Sequence, residues 1–147
     1  MPGARPAGTT RAGDWATLAG RCLIAALFVA GAVQKFVDPE PARALLAGWA
    51  LPGWAIWPAA VFNLSAGLAL IAGIAVRPLA AMLAAYCVVT SLFHLVPDDP
   101  WQMSIFVKNW AIAGGCLVLA AHGAGRLRVR MGLRSGGGRD RLPGTQE

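Results

Sequence analysis

CLIAALFVAGAV, the stretch from Cys22 to Val33, carries no charge and no strongly polar side chain. Three further stretches, Trp54–Phe62, Leu79–Val89 and Trp110–Ala121, are also free of charge. A water-soluble helix of this length would show a polar face recurring every 3.6 residues, and none of these does. Helices apolar on every side need a solvent that is apolar on every side. Extended to their polar flanks, the four stretches predict spans at 16–36, 54–74, 78–96 and 105–121. Each has about the 17–21 residues that cross roughly 30 Å of hydrocarbon at 1.5 Å per residue. The predicted fold is all-α: a transmembrane antiparallel four-helix bundle.

The rest of the composition agrees. The chain has 147 residues, of which 56% are hydrophobic and 14% charged, and the charges crowd into the ends and the connections. Residues 1–15, rich in Pro, Gly, Ala and Thr, are expected to be disordered, and the first span reads as a retained helix, not a cleaved signal. Residues 16–125 form the membrane domain. Residues 126–147 form a basic tail, also expected to be disordered, in which six arginines follow the last span. The net charge of +6 therefore points to a flank beside anionic lipid headgroups and away from nucleic acid. Cys22, Cys87 and Cys116 fall in three different spans without a CxxC pair, and read as small apolar packing residues.

Alternate connections face the same side of a membrane, so the basic residues can be assigned to sides. Ten of the thirteen lie on the side of the termini, while Lys35, Arg43 and Lys108 lie on the other. The positive-inside tendency then places both termini in the cytoplasm of a bacterial inner membrane. Arg21 and Arg77 are expected as anchors at the inner face. Trp54, Trp57, Trp101 and Trp110 are expected as anchors in an outer aromatic belt. The connection from Asp38 to Gly53 reads as an outer loop with a short interfacial helix near 41–49.

Intramembrane polar groups are costly and therefore informative. With the first and third spans running outward and the others inward, Gln34, Lys35, His94, Lys108 and Asn109 come to one level near the outer face, a candidate polar pocket. Asn63 lies deeper, near mid-membrane. Taken singly, the two lysines read equally well as snorkelling anchors, His94 as a capping group and Asn63 as an interhelical hydrogen-bonding amide. Their coincidence at one level favours a bound group with carbonyl or phenolate oxygens, such as a quinone headgroup, or a small anion. His94 and His122 lie at opposite faces, so the chain offers neither a bis-histidine haem site nor a His/Cys metal site. No span contains Asp or Glu, which disfavours carboxylate-coupled transport.

The segment LFVAGAVQKFVDP (27–39), then GLAL (67–70) with Gly73 and Arg77, then Phe93-His94, then KNWAIAGG (108–115), resembles the DoxX family of small bacterial membrane proteins. The resemblance spans about Arg21 to Arg126. It implies a four-helix membrane subunit associated with quinone-linked oxidoreductase systems, partnered by membrane or peripheral redox proteins that supply the redox centres. This chain alone would bind no cofactor other than a quinone. The resemblance marks Lys35, His94, Lys108 and Asn109 as recurring polar positions. It also exposes a departure, since many members place a glutamate where this chain has Asn63. The alternative reading is a non-enzymatic scaffold or assembly factor, with a small-solute transporter behind it; catalysis and homo-oligomerisation stay open.

Overall fold

A computed structural model of the protein describes residues 11–128. Five α-helices and one 3-10 turn follow in order: α1 (Arg11–Val37), α2 (Glu40–Ala47), the turn Gly53–Ala55, α3 (Ile56–Ala72), α4 (Val76–Leu92) and α5 (Pro100–His122). Three of these segments, α1, residues 53–72 and α5, are long and apolar enough to cross a membrane, and α4 is a shorter apolar helix of 17 residues. The fold is an all-helical membrane bundle.

Large apolar side chains such as Leu23, Leu68, Val89 and Val118 stand more than half exposed on the outward surfaces of all four long helices. In water this surface would be an extended hydrophobic patch; against lipid tails it costs nothing.

The long helices run antiparallel to their chain neighbours, and the contacts show it directly. Between α1 and α3, Phe36 stacks on Trp57 with ring centroids 5.9 Å apart. Further along, Ala25 and Val29 face Gly67, and at the other end Arg21 reaches Ile71. Numbers rise on one helix as they fall on the other. The α4–α5 pair behaves alike, from His94 beside Gln102 to Arg77 beside Gly123. The α1–α3 and α4–α5 pairs pack most extensively, with α3–α4 and α1–α5 contacts joining them.

Small residues permit this packing. On α3 the buried face is Ile56, Ala60, Asn63, Ala66, Gly67 and Leu70, a helical stripe of one-turn steps. Gly67 is the closest approach, since a β-carbon there would lie 2.7 Å from Val29 Cγ2 and 3.1 Å from the Ala25 carbonyl oxygen. On α4, Ala80 and Ala84 are buried whereas Ala81 and Ala85 face outward. Gly114 has open space at its β-position and Gly115 only Ile24 at 3.4 Å, so this pair is not a tight packing point. Cys87 and Cys116 are free thiols in the apolar core.

Several boundaries differ from the sequence expectation. Residues 11–15 form the start of α1, with Asp14 in its first turn, where the helix dipole favours an acid. Residues 1–10 and 129–147, which include most of the basic tail, lie outside the described residues. The third span ends at Leu92 instead of residue 96. The last helix begins at Pro100, five residues before the expected 105. Asp99 is its N-cap, its carboxylate accepting from the backbone N–H of Trp101 at 2.9 Å and of Gln102 at 3.2 Å, and Pro100 takes a first-turn position where no N–H is needed. The short helix expected near 41–49 is α2, tied down by Arg43, which pairs with Glu40 at 2.7 Å and lies over the Trp57 ring.

The connection between α3 and α4 is a three-residue turn. Gly73, at φ +77°, closes α3 while the N–H of Ile74 donates to the Ala69 carbonyl and that of Gly73 to the Leu70 carbonyl, which satisfies two of the helix's terminal acceptors. Ala75 follows at φ +46° and leads into α4 without a side-chain cap.

Candidate functional site

Among the described residues, no hydrogen bond or ion pair joins Gln34, Lys35, His94, Lys108 and Asn109 to one another; those that bond do so within their own stretch of chain. Lys35, half-buried in the last turn of α1, donates from Nζ to the Gly31 carbonyl one turn back, at 3.1 Å, and Gln34 beside it is exposed. His94 follows α4, and its Nδ1 is 2.6 Å from Gln102 Oε1 in the first turns of α5. Since an amide oxygen can only accept, Nδ1 is the donor in this arrangement.

Lys108 and Asn109 are displaced by the early start of α5. Lys108 lies six residues beyond Gln102, about 9 Å along the helix axis from the level of His94. Its side chain returns toward that end, with Nζ 5.2 Å from the centroid of the Trp101 ring two turns earlier. The lysine is held there by a cation–π contact, with Trp101 itself exposed in the first turn. Trp110, expected in the outer belt, is about 15 Å from the start of α5, where it meets Phe106 edge-on. Trp54 lies in the 3-10 turn before α3 and Trp57 in the first turn of α3.

Asn63 is the polar member that the fold buries most completely, at 3% exposure near the middle of α3. Its Nδ2 donates to the Tyr86 hydroxyl at 3.1 Å, across to α4. Tyr86 is the only tyrosine in the chain. Its ring is 5.7 Å from Phe62 and 6.4 Å from Phe28, so three helices converge on it. The carbonyl oxygen of Asn63 is buried without a hydrogen-bond partner. Turning the amide over would let the tyrosine donate to the oxygen and leave the NH2 group over instead. In either orientation the pair keeps one polar function unused inside an aromatic wall, where leaving it unused costs roughly 1–3 kcal/mol. Tyr86 is absent from the sequence-derived site because a tyrosine inside an apolar run reads as core. Its being the lone phenol in the chain, mid-span, was the available signal.

At the end of the bundle where the described chain begins and ends, Arg21 departs from its expected role. It is 1% exposed, and so buried inside the protein instead of anchored among headgroups. Nη1 donates to the Ala124 carbonyl at 2.6 Å, while Nη2 donates to the carbonyls of Leu127 at 2.8 Å and Ile71 at 3.3 Å. Nε is buried without a partner. Ile71 belongs to the last turn of α3, where carbonyls lack helical donors and the helix dipole is negative. Arg21 thus ties α1 to the end of α3 and to the segment following α5. Arg77, the second expected inner anchor, is exposed.

Among the described residues there is no group of three or more His, Cys, Asp or Glu side chains placed to hold a metal ion.

Comparison with known proteins adds an independent line. The DoxX family model matches residues 16–95, from α1 through the turn after α4, so Lys108 and Asn109 lie beyond the matched region. The chain is also similar to the inner membrane protein YqjF of Escherichia coli (strain K12), with 27% identity over 117 residues that cover 79% of this chain and 90% of that protein. No solved structure is similar to it. The matched segment contains Lys35, His94 and the whole Asn63–Tyr86 centre, and with the helical membrane bundle around it, it identifies this chain as a member of the DoxX family.

Proposed function

We propose that this protein is a non-catalytic membrane subunit of a quinone-linked oxidoreductase system, and that the Asn63–Tyr86 centre receives the quinone headgroup. The unpartnered amide function of Asn63, bonded to a Tyr86 whose ring meets Phe28 and Phe62, carries the reading. A quinol offers a hydroxyl to the amide oxygen, and a quinone offers a carbonyl to the amide NH2 once the amide is turned over. One site thus accepts both redox states without itself supplying a redox centre, and partner proteins provide the electrons. The aromatic side chains suit a flat headgroup, and the outer polar residues Gln34, Lys35 and His94 form the polar mouth, with Lys108 and Asn109 further along α5.

The test is a titration of the purified chain with short-chain ubiquinone and menaquinone analogues, followed by tryptophan fluorescence. Saturable quenching is expected, weakened roughly tenfold or more by Asn63→Leu and reduced by His94→Ala. Asn63→Leu removes a buried unsatisfied oxygen but leaves the Tyr86 hydroxyl without its partner, two effects that offset, so its melting temperature should stay close to the parent's. Loss of binding with stability retained supports the site. Quenching that never saturates, or that ignores both substitutions, overturns it.

The membrane is the bacterial inner membrane, with the termini cytoplasmic. Arg11, Arg77, Arg126 and Arg128 at one end of the bundle, against Lys35 and Arg43 toward the other, support this orientation. A C-terminal green fluorescent protein fusion should fluoresce in cells and an alkaline phosphatase fusion at the same point should be inactive; the reverse pattern overturns the assignment.

A second reading, a scaffold for another membrane complex, draws support from the bonding of Lys35, His94 and Lys108 to other residues and not to one another. It predicts that His94→Ala and Lys35→Ala are silent, whereas disruption of helix packing is not.

A further inference from the structure

The terminal end of the bundle carries a second feature, separate from the Asn63–Tyr86 centre. An open groove of about 250 Å³ lies where the α3–α4 turn meets the end of α5, lined by Gly73, Val76, Arg77, Gly123 and Arg128 among others. Two of its walls are arginines. Among the described residues, neither Arg77 nor Arg128 is paired with a carboxylate; the ion pair at this end is Arg126–Asp14, at 4.0 Å. Arg21 stands directly behind the groove, bonded to the carbonyl of its lining residue Ala124. Among the described residues, Arg21 bonds to neutral carbonyls and to no carboxylate.

The backbone adds to this field. Val76 and Arg77 are the first residues of α4, whose N-terminus has no side-chain cap, so the positive end of a helix dipole opens on the same space. The glycines keep the groove open. A β-carbon at Gly123 would lie 3.1 Å from Arg77 Nε, and one at Gly73 would lie 2.7 Å from the β-carbon of Arg128.

We propose that this groove binds the phosphate headgroup of an anionic phospholipid. Phosphate is the chemistry that two guanidinium groups and an open helix N-terminus recognise together. A lipid source is favoured over free phosphate by what lies alongside. The groove is at the level where α3, α4 and α5 all end, which is headgroup depth for a bundle that spans a bilayer. One to two turns below it, Met82 on α4 and Leu117 and Val118 on α5 are exposed apolar side chains at the depth of acyl chains. Basic pockets between helix ends hold anionic headgroups in this manner.

The test is native mass spectrometry of the full-length chain in detergent with equal amounts of phosphatidylglycerol and phosphatidylcholine. The expected result is one retained phosphatidylglycerol per chain, in an excess on the order of tenfold over phosphatidylcholine. The double variant Arg77→Gln/Arg128→Gln should lose that preference and Arg77→Lys/Arg128→Lys should recover part of it. Both side chains are exposed, so the fold does not depend on them. Arg11→Gln, which removes one positive charge at the same end but away from the groove, should leave the preference intact. Equal retention of the two lipids, or an equal loss in Arg11→Gln, overturns the proposal. Displacement of the lipid by inorganic phosphate alone would show a free-anion site and overturn the lipid assignment.

Discussion

Gly67→Val should separate α1 from α3 and produce the most severely destabilised single variant of this protein. The added β-carbon would stand 2.7 Å from Val29 Cγ2 and 3.1 Å from the Ala25 carbonyl oxygen, and the latter is helix backbone that cannot rotate away. In a membrane, helix association has no hydrophobic driving force to recover the loss, because lipid tails solvate a separated helix as well as a packed one. Overpacking of this kind costs about 1–3 kcal/mol in soluble cores and more where backbone is struck. The α1–α3 interface is one of the two most extensive in the bundle, so its failure is failure of the fold. The expected readout is a melting temperature in detergent that falls well below the parent's, with aggregation on size-exclusion chromatography. Gly114→Val, at a glycine with open space around its β-position, is the control and should be close to neutral.

Arg21→Met should be nearly as damaging, for a different reason. Methionine fills much of the same volume, so the loss is not one of packing. It leaves the carbonyls of Ile71, Ala124 and Leu127 without their donor. Each orphaned acceptor costs on the order of 1–3 kcal/mol. Removal of the guanidinium also removes a buried charge with its own desolvation cost, so the net loss should be about 3 kcal/mol, short of the plain sum. Because the bonds hold the segment after α5 against α1 and α3, proteolysis should register the change first, with faster cleavage near residues 124–128 while the helices still protect the rest. Arg21→Lys should fall between the two, since one ammonium cannot reproduce the forked geometry that meets three carbonyls. Unchanged stability and cleavage in Arg21→Met would remove the clamp from this description.

The spans were legible in the sequence because bilayer thickness and apolar composition are one-dimensional constraints; runs such as Cys22–Val33 need no knowledge of neighbours. The early start of α5 was also written there, in Asp99-Pro100, an N-cap followed by a first-turn proline, but the surrounding Pro97 and Asp98 give the same stretch the look of a loop. That misplacement moved Lys108 and Asn109 to the level of His94. Two other features could not be read in one dimension. Arg21 is held by backbone carbonyls, which every residue carries, so no pattern of side chains marks its partners. The pairing of Asn63 with Tyr86 depends on the tight 73–75 turn setting the register of α4 against α3. Asn63 was identifiable as an exception in an apolar span, but its partner was not.

The clamp at Arg21 also bears on how the molecule comes into being. The carbonyls of Ala124 and Leu127 are 103 and 106 residues further along the chain. At a synthesis rate of about 5–20 residues per second, they leave the ribosome roughly 5–20 s after Arg21 itself. Throughout that interval a cation destined for burial has no finished site to occupy. The first helix must therefore wait with its arginine at the lipid–water boundary until the last one arrives, which makes α5 the element that completes insertion and α1 the element exposed to quality-control proteases if it never comes.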